Sequence, residues 1–224
     1  MGYYIDLEAI SIGQYKNILA AADLIPSRML LKEDIEKHFD AIAGQNVENV
    51  EELRKILNNK AKLQAFAKES GVPEEYLTVL IREVRGYRQK PNKIKDFPNI
   101  REDVVQRLEA QGIKNTLQLF DRVLTPQSRQ DLSSQTGIEG AEITRLTKLT
   151  DLSRIRWVNH TFAYVLLEAG YENAEEVARA DHQQLYEDIK QLNAEREIYK
   201  GHIGLHDMQR CVEDAKDVSP DIEY

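Results

Sequence analysis

The chain has 224 residues, 42% hydrophobic and 30% charged, and a formal net charge of −8. That composition belongs to a soluble globular protein of one large or two to three small domains, and the acidic balance argues against a surface that is basic throughout, as general nucleic-acid binders are. A single cysteine excludes an internal disulfide and points to a reducing compartment, so a cytoplasmic setting is expected. Only 11 glycines and 6 prolines are present, which favours helix over a turn-rich β architecture.

The opening MGYYIDLEAISIG has no basic region leading into an apolar run, so no signal peptide is expected. Asp6 stands where a myristoylation motif wants Ser or Thr. No run of about 18 apolar residues follows, so no membrane span is expected.

From Val47 onward the chain repeats itself. A shift of 66 residues pairs Val47 with Ile113, Asn49 with Asn115, Leu53 with Leu119, Gly71 with Gly137 and Leu80 with Leu146. A shift of 58 pairs Ile100 with Val158, Leu108 with Leu166, Gly112 with Gly170, Asn115 with Asn173 and Leu119 with Val177. Three related units follow, near 30–88, 97–150 and 152–217. The expected division is an N-terminal helical region with the first repeat (1–90), a second unit (91–150) and a third with an acidic tail (151–224).

Asn49, Asn115 and Asn173 are each followed three residues later by Glu52, Gln118 and Glu176. That spacing predicts a helix starting at each Asn, with its side-chain oxygen on a first-turn amide and the third helical residue reaching back. Gly112 and Gly170 suit left-handed caps that end the preceding helix, with Ile113 or Tyr171 folding back onto it. Apolar spacings of three and four, as in Val104 and Leu108 or Phe162 and Leu166, complete an amphipathic pattern. Each unit is too small to bury its own stripe, so neighbours must pack. The expected fold is all-α, a tandem array.

Short turns separate the helices: SGVPEE (70–75), FPNIRED (97–103), TGIEGAE (136–142) and IRWVNHT (155–161). Helix, apolar-centred turn and helix in this order resembles the helix-hairpin-helix superfamily. More closely, the stretch from TGIEGAEITRL to YEDIKQLN (136–193) resembles bacterial proteins carrying the domain of unknown function 4332. The likeness extends upstream over KPNKIKDFPNI and KNTLQLFDRVLTPQSR. It implies a helical fold and brings no established activity. In DNA-binding helix-hairpin-helix proteins the hairpin reads Gly, apolar, Gly, so that backbone amides approach a phosphate. Here Asn99 and Arg101 hold those places in one hairpin, and Trp157 and Asn159 in another. Gly137 and Gly140 are spaced one residue too far, with Glu139 between. Asn99 suits a left-handed backbone, and Arg101 puts a side chain that itself contacts phosphate where the backbone would approach.

The segment REVRGYRQKPNKIK (82–95) gathers Arg82, Arg85, Arg88, Lys90, Lys93 and Lys95 against the single Glu83. It could track a phosphate backbone, with Tyr87 available to stack on bases. Arg154 and Arg156, with Arg145 and Lys148, flank the last hairpin. Together with Arg101, these ten residues (Arg82, Arg85, Tyr87, Arg88, Lys90, Lys93, Lys95, Arg101, Arg154 and Arg156) form the expected nucleic-acid contact set. Trp157, at a hairpin centre, is expected in the core.

GHIGLHDMQRC places His202 and His206 four apart, but Gly204 interrupts them and no second ligand pair exists, so no metal site is expected. His160 and His182 are isolated, Cys211 lacks a basic activator, and no phosphate-binding or dinucleotide loop occurs. No catalytic residue, cofactor or small-molecule substrate is expected. The end, EDAKDVSPDIEY, reads as a helix finishing before Pro220, with Ile222 and Tyr224 as the residues that would dock a tail.

The functional expectation is a non-catalytic helical-repeat binding protein. It contacts nucleic-acid phosphates without sequence specificity through 82–95 and the hairpin 97–103. The alternative is a protein–protein adapter with no nucleic-acid binding. The first needs its basic residues gathered on one face, the second an exposed apolar patch.

Overall fold

Asparagines open many of the helices. Among the described residues, Asn49, Asn59, Asn115, Asn159 and Asn173 each accept the backbone amide three residues on. The computed structural model describes residues 2–88 and 90–224. They form two compact units, Asp6–Gln89 and Lys90–Tyr224 with Met1–Ile5. The first unit contains α1 (Ile12–Ala21), α2 (Ile35–Ala43), α3 (Val50–Ile56), α4 (Lys60–Ser70) and α5 (Glu74–Gly86). The second contains α6 (Glu102–Ala110), α7 (Thr116–Phe120), α8 (Pro126–Thr136), α9 (Gly140–Leu152), α10 (His160–Glu168), α11 (Ala174–Arg179), α12 (His182–Arg196) and α13 (Leu205–Ala215). No strand occurs among the described residues, so the fold is all-α.

The element boundaries keep the register of the sequence. A shift of 66 carries the bounds of α4 onto α8 and those of α5 onto α9, and the start of α3 onto α7. A shift of 58 carries α6 onto α10 and the start of α7 onto the start of α11. The second and third repeats thus lie in one compact unit. The first repeat follows a longer lead-in, with α1 and a 3-10 turn (Pro26–Lys32) where the second has only the 3-10 turn Ile94–Asp96.

The reason for this recurrence is local. The first amides of α3, α7 and α11 have no partner inside the helix. Asn49, Asn115 and Asn173 each accept one, from Glu52, Gln118 and Glu176. The same three residues reach back, and their side chains take the amide of the residue before the cap: Glu48, Lys114 and Glu172. The leading amide is met too. Ile10 and Asn92 offer carbonyls to Val50 and Thr116 through a single antiparallel bridge in each unit, and the Asp151 carboxylate takes the amide of Ala174.

Gly112 (φ 77°) and Gly170 (φ 97°) end α6 and α10 in the left-handed region, which glycine adopts without a Cβ penalty. Ile113 and Tyr171 then donate back to the carbonyls of Leu108 and Leu166. In the first repeat Asn46 (φ 59°) takes the left-handed place.

The core of the second unit is built around α9, whose Ile143, Leu146, Leu149 and Leu152 are fully buried against α7, α8 and α10. Leu119, Val165, Leu166, Val177, Leu185 and Ile189 complete it. In the first unit, Leu77, Leu80 and Val84 of α5 lie buried in the core to which Leu53, Phe39, Ile42, Tyr15 and Leu31 also belong. Substituting Asn115→Ala removes a cap that also carries the repeat register. The expected loss is about 1 kcal/mol in chemical or thermal unfolding, and an unchanged midpoint would mean that the cap contributes nothing.

Candidate binding surfaces

The predicted contact residues separate into exposed and buried sets. The unit boundary falls inside 82–95, between Gln89 and Lys90. On α5, Arg82 and Arg85 are exposed, and Arg85 donates to the carbonyl of Asn58 (2.9 Å). Arg88 is exposed as well and lies 3.8 Å from Glu51. Glu51 is itself buried and also receives two hydrogen bonds from Arg54 (2.7 and 2.8 Å), with Lys55 3.7 Å away. Tyr87 is not available to stack on a base. It is 5% exposed and sits edge-on to Tyr15 in the core, because the last turn of α5 points its apolar stripe inward there. In the second unit, Lys90, Lys93 and Lys95 are exposed around the buried Ile94. Arg101 is exposed and paired with Asp103 (3.3 Å).

Arg154 and Arg156 face inward, 7% and 6% exposed. Arg154 binds Asp151 (2.8 Å), Asp221 (3.0 Å) and the Ser219 hydroxyl (2.9 Å), and it donates to the carbonyls of Gly2 and Tyr3 (3.3 Å each). Its guanidinium lies 4.7 Å from the centre of the Phe120 ring. Arg156 pairs with Asp214 (3.4 Å). A guanidinium enclosed by carboxylates and carbonyls within its own unit is not presented to a phosphate. Arg145 and Lys148 are also engaged, the first with Glu142 and the carbonyl of Pro98, the second with Glu172.

Asn99 and Trp157 occupy the same place in two hairpins, 58 residues apart, and both are left-handed (φ 58° and 67°). Asn99 tolerates this conformation readily, and its amide donates to the hydroxyl of Tyr164 (2.7 Å). For a tryptophan the same backbone is a genuine outlier. The expectation that Trp157 is core is corrected: it is 49% exposed, with Arg156 beneath its ring at 5.7 Å. The reversed backbone turns the indole outward, and Ile155 and Val158 on either side fill the interior instead. Leu205 and, in the first unit, Ile18, Ile25 and Met29 are also exposed.

Among the described residues, no group of three or more His, Cys, Asp or Glu is disposed to hold a metal ion. Cys211 is buried, and burial together with nearby Asp214 pushes its thiol up to about 12, far from a thiolate at neutral pH. No helix among the described residues is long and apolar enough to cross a membrane.

These features define an all-α chain of recurring capped helices. The family model described as domain of unknown function (DUF4332) matches residues 98–218, more than half of the chain, and the chain belongs to that family. No curated protein and no solved structure matches it.

The charged network of the first unit has a pH signature. Hydrogen bonds from Arg54, aided by Arg88 and Lys55, hold the Glu51 carboxyl down at about 2, against 4.5 for the free group. Its folded value lies below its unfolded one. The stabilisation is therefore complete above pH 4.5 and lost as pH falls toward 2. Glu51→Gln is expected to lower the melting temperature at pH 7 and to shrink the difference from the native chain as the buffer is taken from pH 5 to pH 2.5. A constant difference across that range would contradict the assignment.

Proposed function

We propose that the chain is a non-catalytic, cytoplasmic binding protein, a tandem array of helix-hairpin-helix-like units that docks a protein partner through the hairpin bearing Trp157. The observation that carries this reading is an exposed tryptophan held in a left-handed backbone. That conformation costs roughly 1–2 kcal/mol for an L-residue, and such strain collects at binding and switch sites. An indole presented from a rigid, capped helical hairpin is the kind of residue that dominates protein interfaces. The array reading is supported by the left-handed residue that both hairpins place two positions before an exposed residue at the mouth of the next helix.

Trp157→Asn separates interface from fold, because asparagine already occupies the equivalent position 99. The variant is expected to melt at or slightly above the native temperature. It should lose a nuclease-resistant protein partner that the native chain retains in a pull-down. Retention of that partner by the variant would remove the hairpin from the interface.

The exposed Lys90, Lys93, Lys95 and Arg101 of the second unit favour a second reading, the nucleic-acid one. Against it stand the acidic Glu102 and Asp103 in the first turn of α6, where a phosphate would approach the amides. With about four phosphate contacts, log K against log salt should have a slope of roughly −3 to −4 on duplex DNA. Lys90→Ala, Lys93→Ala and Lys95→Ala together should flatten it. Absence of binding by fluorescence anisotropy at low salt, to duplex and single strand alike, would reject this reading.

A further inference from the structure

Tyr3, Phe120 and Ile222 form a small apolar cluster separate from the main core of their unit, with Leu117 and Leu124 packed against it. The cluster is closed by the irregular segment Ser219–Tyr224, which lies along α7 and the turn after it. Four kinds of contact hold this segment. Asp221 pairs with Arg154 (3.0 Å), and Ile222 packs into the cluster beside Phe120. The amide of Glu223 donates to the carbonyl of Leu124 (2.8 Å), and the ring of Tyr224 lies 5.9 Å from the Arg129 guanidinium. A carboxylate, a branched apolar residue, a backbone hydrogen bond and an aromatic ring follow in successive residues, as in an extended docking peptide.

The other unit answers the equivalent arginine differently, with the segment 7–10 lying against α3. A shift of 66 carries Arg154 to Arg88, Leu117 to Glu51 and Phe120 to Arg54. There a carboxylate within the repeat pairs with the arginine, and Arg54 stands at the place of Phe120. Where Leu117 replaces that carboxylate, Arg154 takes part of its compensation from a segment distant in sequence. Departure of the segment does not strand the charge, because Asp151 and the carbonyl of Tyr3 remain on the guanidinium.

We propose that Arg154, Phe120, Leu117 and Leu124 form a docking groove for an extended acidic–apolar segment of a partner protein, and that Ser219–Tyr224 occupies the groove in cis as a displaceable strap. The occupant is defined by the strap's own chemistry: Asp, then a branched apolar residue, then a free backbone amide. The test of the groove uses no partner captured at the Trp157 hairpin, so the two readings fail independently.

The probe is a fluorescein-labelled peptide spanning 217–224, titrated by anisotropy into the full chain and into the full chain carrying Asp221→Ala and Ile222→Ala. The cis strap acts at an effective concentration on the order of 1 mM. The double variant should therefore bind the peptide saturably, and the native chain at least about tenfold more weakly. A peptide carrying Asp221→Asn should bind the double variant at least about fivefold more weakly, since it lacks the charged half of the Arg154 pair. If the double variant proves unstable, the native chain is titrated with both peptides into the millimolar range, where the same ranking is expected. No binding by either chain, equal binding by both, or indifference to the peptide's Asp221→Asn would overturn the proposal. So would a concentration-dependent dimer of the native chain in analytical ultracentrifugation that Asp221→Ala abolishes, because the strap would then be exchanged between copies.

Discussion

The central helix of each repeat is short, and a short helix in water is held up by what meets its unsatisfied ends. In α3, α7 and α11 the answer is the same: an asparagine on one amide, a Glu or Gln side chain on the amide ahead of the cap, and an outside acceptor on the first. That outside acceptor ties each helix to a second piece of chain. It is a carbonyl of the lead-in in two repeats and the Asp151 carboxylate at the end of α9 in the third. The positions of α4 and α5, and of α8 and α9, follow from where these helices start. This is why their boundaries keep a constant spacing even though most of their surface residues differ.

Charge is handled differently on the two copies of one surface. In the first unit Glu51 is buried among Arg54, Lys55 and Arg88, and the repeat neutralises itself. In the second unit Leu117 replaces that carboxylate, and Arg154 is satisfied by Asp151 and by segments from far along the chain. A buried guanidinium is costly unless its charge is met, and both ends of the second unit contribute acceptors to this one arginine beside Asp151. Much of the basicity that makes this chain look suited to phosphate is therefore consumed internally. Arg154 and Arg156 are enclosed, and Arg85 and Arg88 brace α3 and the loop after it.

Arg82, Lys90, Lys93 and Lys95 are exposed, Arg85, Arg88 and Arg101 are exposed but engaged by neighbouring groups, and the Trp157 indole is half exposed. Asn99 and Trp157 stand where the helix-hairpin-helix resemblance would expect a glycine. The backbone nevertheless keeps the left-handed turn that glycine would have made easy. Asn99 is locked to Tyr164, whereas Trp157 is turned to solvent. The retained turn with a changed side chain is the observation on which the proposed protein interface rests.

The all-α class, the Asn caps at 49, 115 and 173 and the left-handed Gly112 and Gly170 were legible in the sequence, because each depends on residues within a few positions of one another. The repeat spacing was legible for the same reason: local capping and apolar period recur together. Charge in a segment, by contrast, says nothing about where each side chain points. Tyr87 and Arg88 are neighbours, one in the core and the other at the surface, and only the phase of α5 against its unit separates them. Arg154 meets Tyr3 across 151 positions and Asp221 across 67, and no local pattern announces either contact. The outward turn of Trp157 was hidden as well, since its left-handed backbone is imposed by the hairpin and opposed by the residue's own preference. Short-range physics therefore wrote the helices and their register into the sequence. Long-range packing alone decided which arginines are buried and which aromatic ring faces the solvent.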